Sequence, residues 1–174
     1  LYSSAASDVY KRQVCNIDEV LDVARDNNLK IIEDCAHAVG TFHNSKHVGT
    51  VGNTGCFSFY PTKNITTAEG GMLITNSKKI AEKVWQLRNH GMSKSLKSRY
   101  SSGYPWIFDI TEPGYNYRLD EIRASLGVSQ LKRIKKINEL RRNAAFYYHY
   151  KLQNIHGIIL PDMVNDKPHS WILY

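Results

Sequence analysis

The spacing of apolar residues divides the first half of the chain into one helix and three strands. Apolar residues recur at helical intervals after Asn16, where Glu19 lies three positions on as in a capping box. This helix is predicted to end near Asn27–Asn28. Three short apolar or alternating runs predict buried strands, namely LKIIED (29–34), CFSFY (56–60) and MLITN (72–76).

The second half of the chain is predicted to be mostly helical. Asn76 is expected to cap a helix that stops before Gly91, and residues 92–114 follow as a long loop. Helical spacing then resumes near Leu119 and continues to about Leu152, with an interruption expected around Gly127. GIILP (157–161) predicts a further strand. Such alternation predicts an α/β fold with a largely parallel sheet.

The amino-terminal segment has an unusual composition. SSAASDVYKRQ (3–13) is similar to the translation of a transposase adapter used in sequencing libraries, so residues 1–13 are interpreted as non-native. A flexible native tail rich in serine and alanine is the alternative. On the adapter interpretation, the chain is an internal fragment of a longer protein.

Charge and cysteine content exclude several classes of protein. The formal charge is +7, and its excess lies in LKRIKKINELRR (131–142). That stretch also carries an apolar stripe, which favours the solvated face of a helix over a nucleic-acid surface. Three cysteines without paired spacing favour a reducing cytoplasm over a disulfide framework. No apolar run approaches the roughly 18 residues of a membrane helix.

Two residues with reactive side chains lie where predicted strands end. Asp34 ends one strand and Lys63 lies three residues beyond another, and ligands of parallel sheets bind outside the carboxyl ends of strands. Lys63 is the lone charge in FSFYPTKNITT (57–67), and apolar neighbours make an amine more nucleophilic. We therefore hypothesise that Lys63 bonds covalently to pyridoxal 5'-phosphate. A solvated surface lysine is the alternative.

Three further residues could hold that cofactor. Asp34 could keep the pyridine nitrogen protonated, Ser58 could donate to the phosphate, and His37 could hydrogen-bond or stack on the ring. The alternatives are a cap for Asp34 and an ordinary polar strand position for Ser58. A metal site formed by the histidines of residues 37–47 with Cys35 matches no zinc spacing, so no metal is expected.

Four stretches resemble the sugar aminotransferases of the DegT/StrS type. They are IIEDCAHAVGT (31–41), FSFYPTKNITTAEGGMLITN (57–76), GYNYRLDEIRASLGVSQL (114–131) and, more weakly, HSWILY (169–174). The resemblance implies a fold like aspartate aminotransferase, with a mixed, mostly parallel sheet flanked by helices. Residues 14–152 would form part of the large cofactor-binding domain, and residues 153–174 would begin a smaller carboxyl-terminal domain.

The resemblance also implies a role for each candidate residue. Lys63 would carry the cofactor, Asp34 would pair with the pyridine nitrogen, His37 would reach the ring hydroxyl and Ser58 would bind phosphate. Asn116, in GYNYR, would bind the phosphate of the partner subunit's cofactor, which implies a homodimer. The phosphate-binding turn and the aromatic residue that stacks on the ring would precede the quoted stretches.

The implied reaction moves an amino group from L-glutamate to a keto group of a nucleotide-linked sugar. AHAVGT and KNITTAEGG are most similar to enzymes that aminate position 4, in cell-surface polysaccharide or lipopolysaccharide biosynthesis. The loop 92–113, with Arg99, Tyr104 and Trp106, is expected to help choose the sugar. One alternative is a sugar dehydratase, whose relatives carry histidine in place of the lysine. The other is a non-catalytic regulator or a basic nucleic-acid-binding module.

Overall fold

The computed structural model describes residues 15–93, 100–101, 103–104, 106–161 and 169–174. The chain divides into two compact units, one reaching Ile74 and resuming at Glu121, and the other formed by Thr75–Asp120. The segment 1–13, interpreted as an adapter, lies outside the described residues, as does Arg99.

The first unit contains a three-stranded mixed sheet. Its strands are β1 (Ile32–Asp34), β4 (Thr54–Ser58) and β5 (Gly71–Ile74). Between β1 and β4 in the chain, β2 (Phe42–His43) and β3 (Lys46–His47) form a separate hairpin. Strand β4 is central, with β1 parallel on one side and β5 antiparallel on the other. The predicted α/β class with a mixed sheet is confirmed.

Four helices complete the regular structure of the described residues. They are α1 (Ile17–Asp26), α2 (Lys78–Leu87) in the second unit, α3 (Glu121–Leu131) and α4 (Ile134–Leu152). None of the helices in the described ranges is both long and apolar enough to cross a bilayer.

The core of the first unit lies between the loop regions of the sheet and α4. Val39, Phe59 and Ile65 form one buried cluster, and Ile134 and Ile137 of α4 pack against it. These two isoleucines belong to the apolar stripe predicted beneath the basic charges. Leu131, the last residue of α3, and Leu140 of α4 were predicted on the same stripe but are exposed.

Three helix boundaries differ from the sequence prediction. Asn16 makes no capping bond to the backbone and donates instead to the Glu19 side chain, so the capping box is not formed. Helix α2 is capped by Ser77 rather than Asn76, because the Ser77 hydroxyl accepts the Ile80 N–H at 3.4 Å. The long helical region is interrupted at residues 132–133, whereas Gly127 lies inside α3.

Two expectations for irregular segments also need correction. Residues 157–161 form no strand: Gly157 lies in a turn with φ of 84°, and extended pairing is absent over this described stretch. The stretch after His37 is not only loop, because β2 and β3 pair as a hairpin. Its two-residue turn, Asn44–Ser45, has positive φ at both positions, as a type I′ turn requires.

Gly55 lies where β4 meets the backbone of another loop. A Cβ at this position would overlap the carbonyl oxygen and Cα of Gly49. We expect Gly55→Ala to destabilise the full-length protein by about 3 kcal/mol, because the backbone atoms of Gly49 cannot move aside as a flexible side chain can. Denaturant unfolding measures this loss. Cys56→Ala, on the same strand, is the matched control and should cost below about 1 kcal/mol. Equal stability of both variants would contradict the contact.

Candidate functional site

Asp34 and Ser58 project from one face of the sheet at the same edge. Asp34 is the last residue of β1 and is paired in parallel register with Cys56, and Ser58 ends β4 two residues later. Paired residues of neighbouring strands, and residues i and i+2 of one strand, share a face. Two residues of a strand span about 6.6 Å and neighbouring strands lie about 4.8 Å apart, so both side chains can contact one small molecule.

Lys63 lies in the turn that follows this edge. The chain leaves β4 at Ser58 and folds back at once, with the Lys63 N–H donating to the Tyr60 carbonyl at 3.0 Å. The Lys63 side chain is half-buried, and its ammonium makes no hydrogen bond or ion pair with any residue that the structure describes. An amine in this position is available for bonding to a ligand rather than engaged in a salt bridge.

The Asp34 carboxylate is only partly used by the protein. Its Oδ1 accepts the N–H of Ala36 at 3.0 Å, which forms a turn rather than the helix cap considered from the sequence. Oδ2 accepts no hydrogen bond within the described ranges, and the residue is exposed. His37, which is half-buried, lies three residues after Asp34, just beyond this turn. Asp34 therefore retains a free oxygen for an external N–H donor.

Glu33, next to Asp34, is a buried structural carboxylate that the sequence did not reveal. It points to the opposite face of the sheet, is 0% exposed, and accepts three backbone N–H groups. The donors are Gly49 at 2.6 Å, Val51 at 2.8 Å and Gly52 at 2.6 Å. Three donors compensate the buried charge and fix the loop to β1. The signal was the alternation of β1, which places position 33 on the buried face.

Cys35 follows Asp34 and is completely buried. Burial, with smaller contributions from the carboxylates of Glu33 and Asp34, raises the pKa of its thiol to about 12. The thiol is therefore protonated at neutral pH. A protonated, buried thiol is neither a nucleophile nor a metal ligand.

The histidines considered for a metal site are engaged by protein groups. His43 contacts the Asp18 carboxylate at 3.1 Å. His47 accepts the Gly40 N–H on Nε2 at 2.9 Å while Nδ1 contacts the Val48 carbonyl at 2.5 Å, so both ring nitrogens are engaged by the backbone. The described residues contain no group of three or more side chains suited to hold a metal.

Amide side chains of two helices hold the segment around Lys63. Gln130 of α3 accepts the Thr66 N–H at 3.0 Å and donates to the Thr66 carbonyl at 2.9 Å. Asn138 of α4 accepts from the Asn64 side chain at 2.9 Å. Asn64 also donates to the Ser170 carbonyl at 2.7 Å. These contacts were not predicted, and the only sequence signal was a polar residue beside an apolar helical stripe.

Asn116 belongs to the second unit and is exposed. Its backbone forms an antiparallel bridge with Asn89, while its neighbours Tyr115 and Tyr117 bond to the end of α2 and stack at 4.9 Å. The Asn89 side chain, which is buried, accepts from Arg118 at 3.1 Å. This network holds the GYNYR stretch in an extended form and leaves the Asn116 amide to solvent.

The sequence profile of the DegT/DnrJ/EryC1/StrS aminotransferase family matches residues 10–174. The chain belongs to this family. The predicted family and fold class are therefore confirmed, and the reaction class agrees with the family's description.

Two curated relatives are similar over nearly the whole chain. Uncharacterized protein MJ1066 of Methanocaldococcus jannaschii is 44% identical over 95% of this chain and 43% of its own length. Spore coat polysaccharide biosynthesis protein SpsC of Bacillus subtilis is 41% identical over 93% of this chain and 42% of its own length. The chain thus spans less than half of each relative.

Solved structures of sugar aminotransferases share the fold. PseC of Helicobacter pylori, an aminotransferase involved in the biosynthesis of pseudoaminic acid, has 29% identity and a TM-score of 0.76 over 95% of this chain and 42% of its own. The putative sugar aminotransferase Spr1654 of Streptococcus pneumoniae, in its PLP form, has 25% identity and a TM-score of 0.77. That match covers 92% of this chain and 44% of the other.

Proposed function

We propose that the full-length protein is an aminotransferase that uses pyridoxal 5'-phosphate to move an amino group from L-glutamate to a keto group of a nucleotide-linked sugar. One observation carries the proposal: Asp34 and Ser58 project from one face of the sheet at the edge where the turn of Lys63 begins. Family membership supports it, and the structure of Spr1654 is described as a PLP form.

The residues at this edge fit the chemistry of that cofactor. When bound, pyridoxal phosphate supplies the electron sink that amine transfer needs. Oδ2 of Asp34 accepts nothing from the described residues and can receive the N–H of a pyridinium ring. Ser58 Oγ accepts the Tyr60 N–H at 3.4 Å, which leaves its own proton free for a phosphate oxygen. His37 is assigned to the ring hydroxyl.

Lys63 is the residue that moves protons in this proposal. Its amine would hold the cofactor in the resting protein. With the amine free, Nζ would remove the proton from the α-carbon of glutamate and, in the second half, return a proton to the sugar carbon. Asn64 and Thr66, fixed by Asn138 and Gln130, hold the backbone of the turn while the side chain moves.

The proposed substrate is a 4-keto sugar linked to a nucleotide, for a cell-surface polysaccharide or lipopolysaccharide. SpsC supports this class because it is named for spore coat polysaccharide biosynthesis, and PseC because it serves the biosynthesis of pseudoaminic acid. The loop 92–113 is assigned to sugar choice through Tyr104 and Trp106, whose rings are exposed and meet edge to face at 5.8 Å.

The proposal includes a cytoplasmic homodimer with sites at the subunit interface. The exposed amide of Asn116 is assigned to the cofactor phosphate of the partner subunit. Residues 14–152 are assigned to the large domain and residues 153–174 to the start of the small one. Ser170 and Ile172 are buried in the first unit, with the Arg141 guanidinium donating to the Ile172 carbonyl at 3.2 Å.

Borohydride reduction of the full-length protein tests the proposal directly. Reduction should fix the cofactor to the peptide that contains Lys63, and mass spectrometry of the digest identifies the residue. Glutamate should be consumed when a keto sugar nucleotide is added, which separates an aminotransferase from a dehydratase. Label on another lysine, or no label, would defeat the proposal.

A further inference from the structure

One amide on α4 joins the two segments that carry the proposed site residues. Asn138 Nδ2 donates to the Val39 carbonyl at 3.1 Å and approaches the Gly40 carbonyl at 3.4 Å. Its Oδ1 accepts from Asn64 Nδ2 at 2.9 Å. Val39 lies two residues after His37, and Asn64 follows Lys63 directly. A single side chain therefore bridges the His37 segment and the Lys63 turn.

Both ends of this bridge are held tightly. Val39 is 6% exposed and Asn64 is 8% exposed. Asn64 cannot rotate away without also losing its bond to the Ser170 carbonyl at 2.7 Å. Gly40 has a φ of 76°, and a Cβ there would lie 2.7 Å from Asn138 Nδ2, so the amide packs directly against backbone.

No regular pairing gives this link. The pairing of β1 with β4 ends at Asp34 and Cys56, where the Cys35 N–H donates to the Cys56 carbonyl at 2.7 Å, and the chain beyond β1 and β4 continues as turns. The Gln130 bonds hold Thr66 to α3 but do not reach the His37 segment. Val39 and Ile65 of the two segments pack together in the apolar core, and among the side-chain hydrogen bonds described for these turns, those of Asn138 span both.

We propose that Asn138 is a positioning residue that sets the Lys63 amine relative to His37 and the cofactor ring. This inference rests on the proposed function. The amide oxygen holds the side chain of Asn64, the residue after Lys63, and the amide N–H holds the Val39 carbonyl, two residues after His37. Removing the bridge lets the two segments drift apart, and displacements near 1 Å at a reacting centre can lower turnover by about 10²-fold.

The test uses three variants of the full-length protein. Asn138→Leu keeps the size of the side chain and removes both arms of the bridge. Asn138→Asp keeps an oxygen that can accept from Asn64 but removes the N–H donor to Val39. Asn143→Ala, an exposed asparagine on the same helix, is the matched control. The readout is the pH titration of the visible absorbance of the bound cofactor, with cofactor affinity, kcat and thermal stability measured beside it.

We expect the pH midpoint of the absorbance to move by about one unit in the uncharged variant Asn138→Leu, because the hydrogen-bonded geometry around the ring changes. The kcat should fall at least about 10-fold with little change in KM for glutamate. Asn143→Ala should match the parent protein. A purely structural role would lower thermal stability without moving the midpoint.

The outcomes separate this inference from the proposed function. If the parent protein shows no absorbance from a bound cofactor, both proposals fail. If the parent shows it and both Asn138 variants have the parent's midpoint and kcat, only the positioning role is overturned. If Asn138→Leu does not fold, Asn138→Asp decides through turnover, because its added carboxylate can move the midpoint by charge alone: the parent's kcat in that variant overturns the inference, and a lowered kcat with an unchanged KM for glutamate supports it.

Discussion

Replacing Lys63 by arginine should lower glutamate-dependent amination by the full-length protein at least about 10²-fold, because proton transfer by a positioned group contributes about 10²–10⁴. Arginine keeps the positive charge but cannot lose its proton, so it can neither bond to an aldehyde nor carry protons. The turn should still form, because it is held by the Asn64 and Thr66 contacts rather than by the Lys63 side chain. Single-turnover kinetics and borohydride labelling measure both losses.

Lys46→Arg is the matched control for this change. Lys46 is exposed on the hairpin strand β3, and its ammonium has no described partner. That variant should keep the parent's rate and its labelling. If Lys63→Arg retained more than about a tenth of the activity, the proton-transfer role would be wrong. Full activity with no label at position 63 would place the catalytic amine elsewhere.

The positions of the short strands were predictable because their signal is local, but their burial was not, since Ile32 and Asp34 of β1 are exposed. β1 (Ile32–Asp34) lies at the acidic end of the apolar run LKIIED, and β4 (Thr54–Ser58) overlaps the alternating run CFSFY, so neighbouring residues alone mark both strands. The position of Asp34 at the end of β1 follows from the same pattern. The location of the candidate site was therefore available from the chain, and its family motif gave the roles.

The contacts that hold the segments around the candidate site residues in place could not be predicted from the local sequence pattern. Asn138 contacts residues 74 and 99 positions away, and the Gln130 partner lies 64 positions away. Nothing in a single sequence distinguishes such an asparagine from one that faces solvent, such as Asn143. Asn138 and Gln130 make these contacts because α3 and α4 pack against the rest of the first unit.

The error at Gly127 has a physical cause of a different kind. Glycine disfavours a helix by about 1 kcal/mol, so an interruption was expected there. In the structure the helix continues, and a Cβ at Gly127 would lie 2.9 Å from the Thr67 methyl group. Close packing of α3 on the segment after Lys63 therefore overrides the local preference. The hydrophobic pattern could not show this contact, because glycine contributes no side chain to the pattern.

Replacing Glu33 by glutamine should destabilise the full-length protein by about 3 kcal/mol, because each buried N–H left without an acceptor costs about 1–3 kcal/mol. The carboxylate accepts from Val51 and Gly52 on one oxygen and from Gly49 on the other. An amide has one oxygen, so its NH₂ group would face at least one of these donors. Denaturant unfolding gives the free energy.

The same substitution should also weaken cofactor binding, because Glu33 fixes β1 immediately before Asp34. Titration of the apoprotein with pyridoxal phosphate measures this effect. Glu69→Gln changes an exposed carboxylate in the turn before β5 and is the control, since only its backbone carbonyl is used, by the Thr67 hydroxyl. It should leave both quantities within about 0.5 kcal/mol of the parent. If Glu33→Gln behaved like this control, the three N–H groups would have to find other acceptors, and the anchoring of Asp34 through its buried neighbour would be refuted.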